Sequence, residues 1–304
     1  MKKIYGLAIL LSLLQIIPVS AVENGTDATG NSFVVPITRT YSATATGFCS
    51  GILIAPSVVV TARHCTQDSK GVVTKNVFVG KAGSSLDSIT PSDIVSSVET
   101  DPNSSSTSTT LVDDSDIAFL ILSHPQKITT PILLATEAVV TSLRNSGGSL
   151  EGYGYGFYSD SGDTSPTFPK AFSGSFSSRT PVVSNSGYVK SLPGDACIGD
   201  SGSPVISMAG GKTTLIGVIT GVTKNLYCTK LNSDGNYYAL FTLISKYDKL
   251  AARAISIAET QKAPVIATKP PAKAMSTITC RKGSIIKKVT AIKPKCPVGY
   301  LVRK

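Results

Sequence analysis

The chain has 304 residues and a formal net charge of +10, longer than one average domain yet within reach of a single double-barrel β unit, so length alone leaves the domain count open. The charge is unevenly placed: residues 22–259 are net −3, residues 260–304 carry 11 basic residues and no acidic one, and Lys2 and Lys3 supply the rest. Basicity confined to a tail, with no nucleic-acid recognition motif beside it, argues against a nucleic-acid-binding domain.

Residues 1–21 have the layout of a targeting signal: Lys2 and Lys3, then an apolar stretch from Ile4 to Val19, then the small-residue cleavage site Val19-Ser20-Ala21. That stretch is shorter than a spanning helix and no later one is long enough, so the mature chain is expected to be secreted, extracellular or periplasmic, with no membrane span. Six cysteines suit such an oxidising compartment.

Beyond the signal, short β-branched and apolar runs alternate with Gly, Ser, Thr and Pro clusters. Such runs at Ser32–Thr38, Ile52–Ile54, Val58–Thr61, Ile117–Leu122, Leu215–Thr220 and Tyr237–Phe241 predict an antiparallel β architecture. Asp101–Thr110 and Ser159–Ser178 are expected to be polar surface loops. No helical period is evident before Ser245, and residues 245–258, rich in helix formers, predict one closing helix. Residues 259–275 form a Pro, Ala and Lys linker of semi-rigid type. Residues 276–304 are patterned around Cys280 and Cys296 and predict a small hairpin-like module. So short a segment buries little core, and a crosslink would supply part of its stability.

The chemistry concentrates in Gly194–Pro204, G-D-A-C-I-G-D-S-G-S-P, which sets Ser201 in a tight turn. A serine hydroxyl attacks only with an adjacent base and with backbone N–H donors for the developing oxyanion, and flanking glycines let backbone approach a bound carbonyl. Gly, Asp and Ser are also ordinary turn formers, so the segment needs partners before it means catalysis. Upstream, residues 47–65, G-F-C-S-G-I-L-I-A-P-S-V-V-V-T-A-R-H-C, form a strand-like run ending at His64, one of 2 histidines. Residues 114–122, D-S-D-I-A-F-L-I-L, lead from Asp116 into another strand. Asp113 and Asp114 fit solvated loop charges, and His124, before Pro125, fits a surface loop.

Taken together, T-A-R-H-C, D-I-A-F-L and G-D-S-G-S-P, in that order, resemble the trypsin/chymotrypsin family of serine peptidases over roughly residues 22–255. The resemblance implies an all-β fold: two six-stranded antiparallel β-barrels packed together with a C-terminal helix, here followed by the small disulfide module. The barrels would meet near residues 130–148, with G-Y-G-Y-G from Gly152 opening the second. The peptidase domain would then span residues 22–258.

By that resemblance Ser201 is the nucleophile, His64 the general base and then acid, and Asp116 the carboxylate that orients the imidazole. The N–H groups of Gly199 and Ser201 would form the oxyanion hole. Asp195 would lie at the base of the S1 pocket and pair with a substrate Arg or Lys, between walls carrying Gly221 and Gly235. Ile219-Thr220-Gly221 departs from the family's S-W-G, which removes a hydrogen bond and reshapes the neighbouring pocket. Cleavage after Ala21 would start the mature chain at Val22, whose α-amine would insert beside Asp200, so that signal peptidase itself makes the activating cut. The same resemblance pairs Cys49 with Cys65 and Cys197 with Cys228, leaving Cys280 and Cys296 for each other. No metal or cofactor is expected: no C-x-x-C spacing is present, and the segment after Val77 lacks paired acidic calcium ligands.

The expected function is therefore a secreted serine endopeptidase that hydrolyses protein or peptide substrates after Arg or Lys through an acyl-enzyme. A non-catalytic binding protein on the same fold is the alternative from another class. The basic tail, residues 260–304, suggests contact with an anionic cell envelope or polymer.

Overall fold

A computed structural model of the chain describes residues 25–42, 45–68, 71–104, 115–157, 167–181, 184–191, 196–222, 231, 233–262, 276–282, 285–291 and 293–302. Residues 1–21, expected to form a targeting signal, and Val22, Asp113, Asp114, Asp195 and Cys228 lie outside the described residues. The chain divides into two compact units, residues 1–261 and 262–304. No helix among the described residues is long and apolar enough to cross a membrane.

The first six-stranded sheet of the larger unit comprises β1 (Val34–Ser42), β2 (Ala45–Ala55), β3 (Val58–Thr61), β4 (Val77–Val79), β5 (Val95–Thr100) and β6 (Ala118–Leu122). Their order is β4-β1-β2-β3-β6-β5, and an antiparallel bridge between Phe78 and Ile94 brings the two edges of the curled sheet together. Alternate residues explain the lack of a polar face on its central strands. Val59, Leu120 and Leu122 pack inside this sheet, while Val58, Val60, Phe119 and Ile121 pack into the core shared with the other barrel. A strand buried on both faces is a continuous apolar run, as V-V-V and A-F-L-I-L are.

The second sheet comprises β7 (Ser149–Gly154), β8 (Lys170–Phe176), β9 (Ser186–Ser191), β10 (Pro204–Ser207), β11 (Thr214–Val222) and β12 (Tyr237–Leu243). It closes into a barrel, because β7 pairs with both β8 and β10 around the order β7-β8-β9-β12-β11-β10. Two short segments, Thr26–Asp27 and Leu133–Leu134, pair with β8 and β11. The fold is two β-barrels, as the motifs implied.

Three local expectations change. Strand β8 runs through the segment expected to be a polar loop. Its Ser- and Gly-rich sequence hides the signal, yet Phe172 and Phe176 are buried and it pairs with β7 along its length. A helix, α1 (Glu137–Ser146), stands where no helical period was evident and lies in the inter-barrel connection. Only Val140 of α1 is buried, so its apolar stripe is faint; its ends are marked instead by the Thr136 hydroxyl, which accepts the Val139 N–H, and by Gly147 in the left-handed conformation. The closing helix, α2 (Asp248–Lys262), starts later than expected and continues into the segment whose composition suggested a linker.

The smaller unit is a three-stranded antiparallel sheet of β13 (Ser276–Lys282), β14 (Ile285–Ala291) and β15 (Leu301–Val302), with β13 central. Cys280 and Cys296 form a disulfide within it, which closes a 16-residue separation and stabilises so small a sheet by about 3 kcal/mol.

Candidate active site

The register of β3 and β6 places the histidine and the aspartate. Thr61 at the end of β3 pairs with Ala118 at the start of β6, so residues just beyond one and just before the other emerge at the same end of the sheet. His64 follows in a single 3₁₀ turn, Arg63–Thr66, and Asp116 precedes β6 by two residues. The two side chains meet there. Asp116 Oδ1 accepts the His64 backbone N–H at 2.9 Å and Oδ2 lies 2.8 Å from His64 Nδ1. A carboxylate oxygen accepts, so Nδ1 is the donor, and in the neutral imidazole Nε2 is then the nitrogen with the lone pair. The Asp116 side chain is 8% exposed and that of His64 28%, which leaves the imidazole reachable from solvent.

The His64 turn is braced on three sides. Cys65 is disulfide-bonded to Cys49 on β2, the Thr66 hydroxyl donates to Arg63 O at 2.7 Å, and Arg39 Nη1 on β1 donates to Gln67 O at 3.1 Å. Burial pushes the Arg39 guanidinium down to about 10, against the opposing attraction of Asp116. The sulfurs beside His64 belong to the Cys49–Cys65 disulfide, so they are not thiolates open to a metal ion.

Ser201 sits in a pair of tight turns before β10: Asp200 N–H donates to Cys197 O at 3.0 Å and Ser203 N–H to Asp200 O at 2.8 Å. Gly199 and Gly202 have φ of 97° and 82°. Any Cβ at Gly202 would overlap Thr61 Oγ1 and Ser50 O, and one at Gly199 would overlap the Phe48 ring, so both need glycine for space as well as for conformation. The Phe157 N–H donates to Ile198 O at 2.8 Å. In a trans peptide the N–H opposes the C=O, so this bond turns the Gly199 N–H away from Phe157.

Sequence reasoning missed Ser50 on β2. Fully buried, it donates its N–H to Ser201 O at 2.8 Å and its hydroxyl to Gly199 O at 3.1 Å, while the hydroxyl accepts the Tyr155 N–H at 3.0 Å. Cys65 Sγ lies 3.6 Å from Ser201 O. One residue of the first barrel thus fastens the Ser201 turn, which sits against the cysteine that follows His64. Ser50 carries no signal of its own; only its place after Cys49 hinted at anything.

Asp200, 1% exposed, accepts from the Gly156 N–H at 2.9 Å, the Cys197 N–H at 2.8 Å and the Ser203 hydroxyl at 3.4 Å. Gly154 and Gly156, part of the G-Y-G-Y-G run, are glycines because a Cβ on either would overlap the Asp200 carboxylate. Tyr237, also missed, donates its hydroxyl to Ala196 O and so holds the stretch leading into the turn. Cys197 is disulfide-bonded, but its expected partner Cys228 lies outside the described residues.

Asp195 likewise lies outside the described residues. Gly221 is on β11 beside Thr220, whose side chain is buried and donates to Leu240 O at 3.4 Å. Ile219 pairs through its backbone with the Ser201 turn, accepting from Gly202 N–H at 2.7 Å and donating to Ser203 O at 2.8 Å. Gly235 stands in an exposed turn with φ of 73° and borders a cavity of about 410 Å³ shared with Ser173, Lys190 and Tyr237. His124 is exposed in its loop, apart from the His64 site.

Two β-barrels, one carrying a histidine–aspartate pair and the other a G-D-S-G turn whose serine carbonyl lies 3.6 Å from the cysteine after that histidine, are the features of the serine-hydrolase class. Residues 22–250 match the Trypsin family, and the chain belongs to that family of serine endopeptidases. It is 28% identical over 219 residues to vitamin K-dependent protein C of Rattus norvegicus and 26% identical over 224 residues to that of Mus musculus. Each match takes in 66% of this chain but only 44% and 45% of those proteins, so the chain spans less than half their length.

Proposed function

We propose that the chain is an exported endopeptidase that cleaves after Arg or Lys by a Ser201–His64–Asp116 triad. The observation that carries this reading is the paired Asp116 contact to His64 N and Nδ1. It fixes the one tautomer in which Nε2 can take a proton, beside a serine whose turn is fastened to the same barrel. In the proposed mechanism Nε2 removes the Ser201 Oγ proton as Oγ attacks the scissile carbonyl. The Gly199 and Ser201 N–H groups receive the oxyanion, each such donor contributing roughly 10²–10³ in kcat. The imidazolium, steadied by Asp116, returns the proton to the leaving amine, and water then hydrolyses the acyl-enzyme by the same steps in reverse.

Three roles in this proposal extend beyond the triad. Asp195 reads the basic side chain at the base of a pocket walled by Gly221 and Gly235, because an apolar side chain would leave a buried carboxylate unpaired. The Val22 amine joins the backbone donors around Asp200 after signal removal. Disulfides, including Cys197–Cys228, fit the oxidising compartment to which the signal directs the chain. Residues 22–258 act as the peptidase domain, 259–275 as a connection and 276–304 as an appended module.

Profiling the mature enzyme on a peptide library, alongside Asp195→Ser, tests the specificity. A basic preference that collapses in the variant is the expected result; a preference that is not basic, or survives the substitution, contradicts it. N-terminal sequencing of active enzyme should begin at Val22, and a start several residues away would sink the activation step.

A further inference from the structure

Alternation along β1 sets Arg39 in the same row as Val35 and Ile37, which pack inside the first barrel with Val77 and Val79 of β4 and are fully buried. Its partners across the strands are Val77 on β4 and Gly47 on β2, and Gly47 has no side chain to fill the space beside it. The residue is only 7% exposed. An aliphatic side chain could continue this row without taking a charge out of water, so the guanidinium opposes folding unless its contacts offset the desolvation.

Those contacts lead to His64. Arg39 Nη1 donates to Gln67 O at 3.1 Å, and the Gln67 N–H donates in turn to His64 O at 3.4 Å. At the other end of the turn, Asp116 accepts the His64 N–H at 2.9 Å and lies 2.8 Å from Nδ1. The turn is therefore held at an N–H by a carboxylate and at a C=O by a cation, each charge where the peptide groups favour it, and the two charges attract one another. Nothing in this chain of contacts reaches the substrate. We propose that Arg39 is a positioning residue of the His64–Asp116 pair, fixing the imidazole for its approach to Ser201 through Gln67 and through its attraction to Asp116. The inference rests on the triad reading above and adds a fourth side chain to it. The Cys49–Cys65 disulfide still ties the turn to β2 when Arg39 is replaced, so the loss should displace the turn rather than unfold it.

A double-mutant cycle between Arg39→Met and Asp116→Asn, read as kcat and KM of the mature full-length enzyme on the peptide it cleaves best, tests the proposal. Methionine keeps much of the buried bulk and removes both the charge and the donor. Alone, Arg39→Met should lower kcat by up to roughly 10²-fold with KM little changed, because a displaced catalytic group costs rate rather than binding. In the Asp116→Asn background the same substitution should cost clearly less, since groups that act as one unit are not additive. An unchanged kcat in Arg39→Met, or an equal loss in both backgrounds, would overturn the proposal and leave the triad standing. A kcat indifferent to Asp116→Asn would overturn the triad reading, and this proposal with it. Circular dichroism and mass analysis of the Cys49–Cys65 disulfide report whether each variant is folded; should Arg39→Met not fold, Arg39→Gln enters the same cycle and is read by the same outcomes.

Discussion

In the first barrel His64 and Asp116 are held by side-chain chemistry: two hydrogen bonds to one carboxylate, a disulfide and a buried guanidinium behind the turn. In the second barrel the Ser201 turn is shaped chiefly by backbone, through successive tight turns and four glycines without room for a Cβ, with the Asp200 carboxylate and the Ser50 and Tyr237 hydroxyls fastening its N–H and C=O groups. The two constructions fail differently. A side-chain support can be swapped for an isostere and lose only its proton chemistry, whereas the glycine-built turn has no substitute that fits.

The comparison is tested most severely by removing the chemistry from each barrel in turn. Ser201→Ala and His64→Ala should each lower kcat by about 10⁵–10⁶-fold with unchanged circular dichroism, because members of one catalytic unit are not additive. If the double variant were much slower than either single one, the two barrels would not be acting on one step. Asp116→Asn keeps the shape but offers the wrong partner to Nδ1–H, and should cost about 10⁴-fold in kcat with little change in melting temperature.

The glycine side should respond otherwise. Gly156→Ala drives a Cβ into the Asp200 carboxylate, so it should cost thermal stability and, if the Gly199 and Ser201 N–H groups receive the oxyanion as proposed, roughly 10²–10³-fold in kcat. Stability lost without activity would show that Asp200 does not organise the Ser201 turn. The smallest effect is expected where the barrels meet. Ser50→Ala leaves Gly199 O and the Tyr155 N–H without their shared hydroxyl, costing about 1–3 kcal/mol of stability. It should lower kcat about tenfold with KM little changed, a smaller loss than that of a missing oxyanion donor because the donors are loosened rather than removed; Ser50→Thr, which restores a hydroxyl, should recover part of this.

The same contrast explains what was legible before folding. His64, Asp116 and Ser201 stand in recognisable local words, and V-V-V and A-F-L-I-L announce strands buried on both faces. Gly154 and Gly156 stand out in the sequence only as part of the G-Y-G-Y-G run that opens the second barrel, because their reason is a carboxylate more than forty positions away that no local pattern encodes. Strand β8 was concealed by serine and glycine, and α1 by a stripe reduced to Val140. Ser50 and Tyr237 acquire meaning only from the carbonyls that the fold brings to them.

Stoichiometric labelling with a serine-directed phosphonate, located by mass spectrometry in the mature enzyme and in its His64→Ala variant, addresses the central claim most directly. One equivalent attached to Ser201, with the rate falling by several orders of magnitude in the variant, is the predicted result. Labelling at another residue, or at Ser201 with a rate indifferent to His64, would contradict the account.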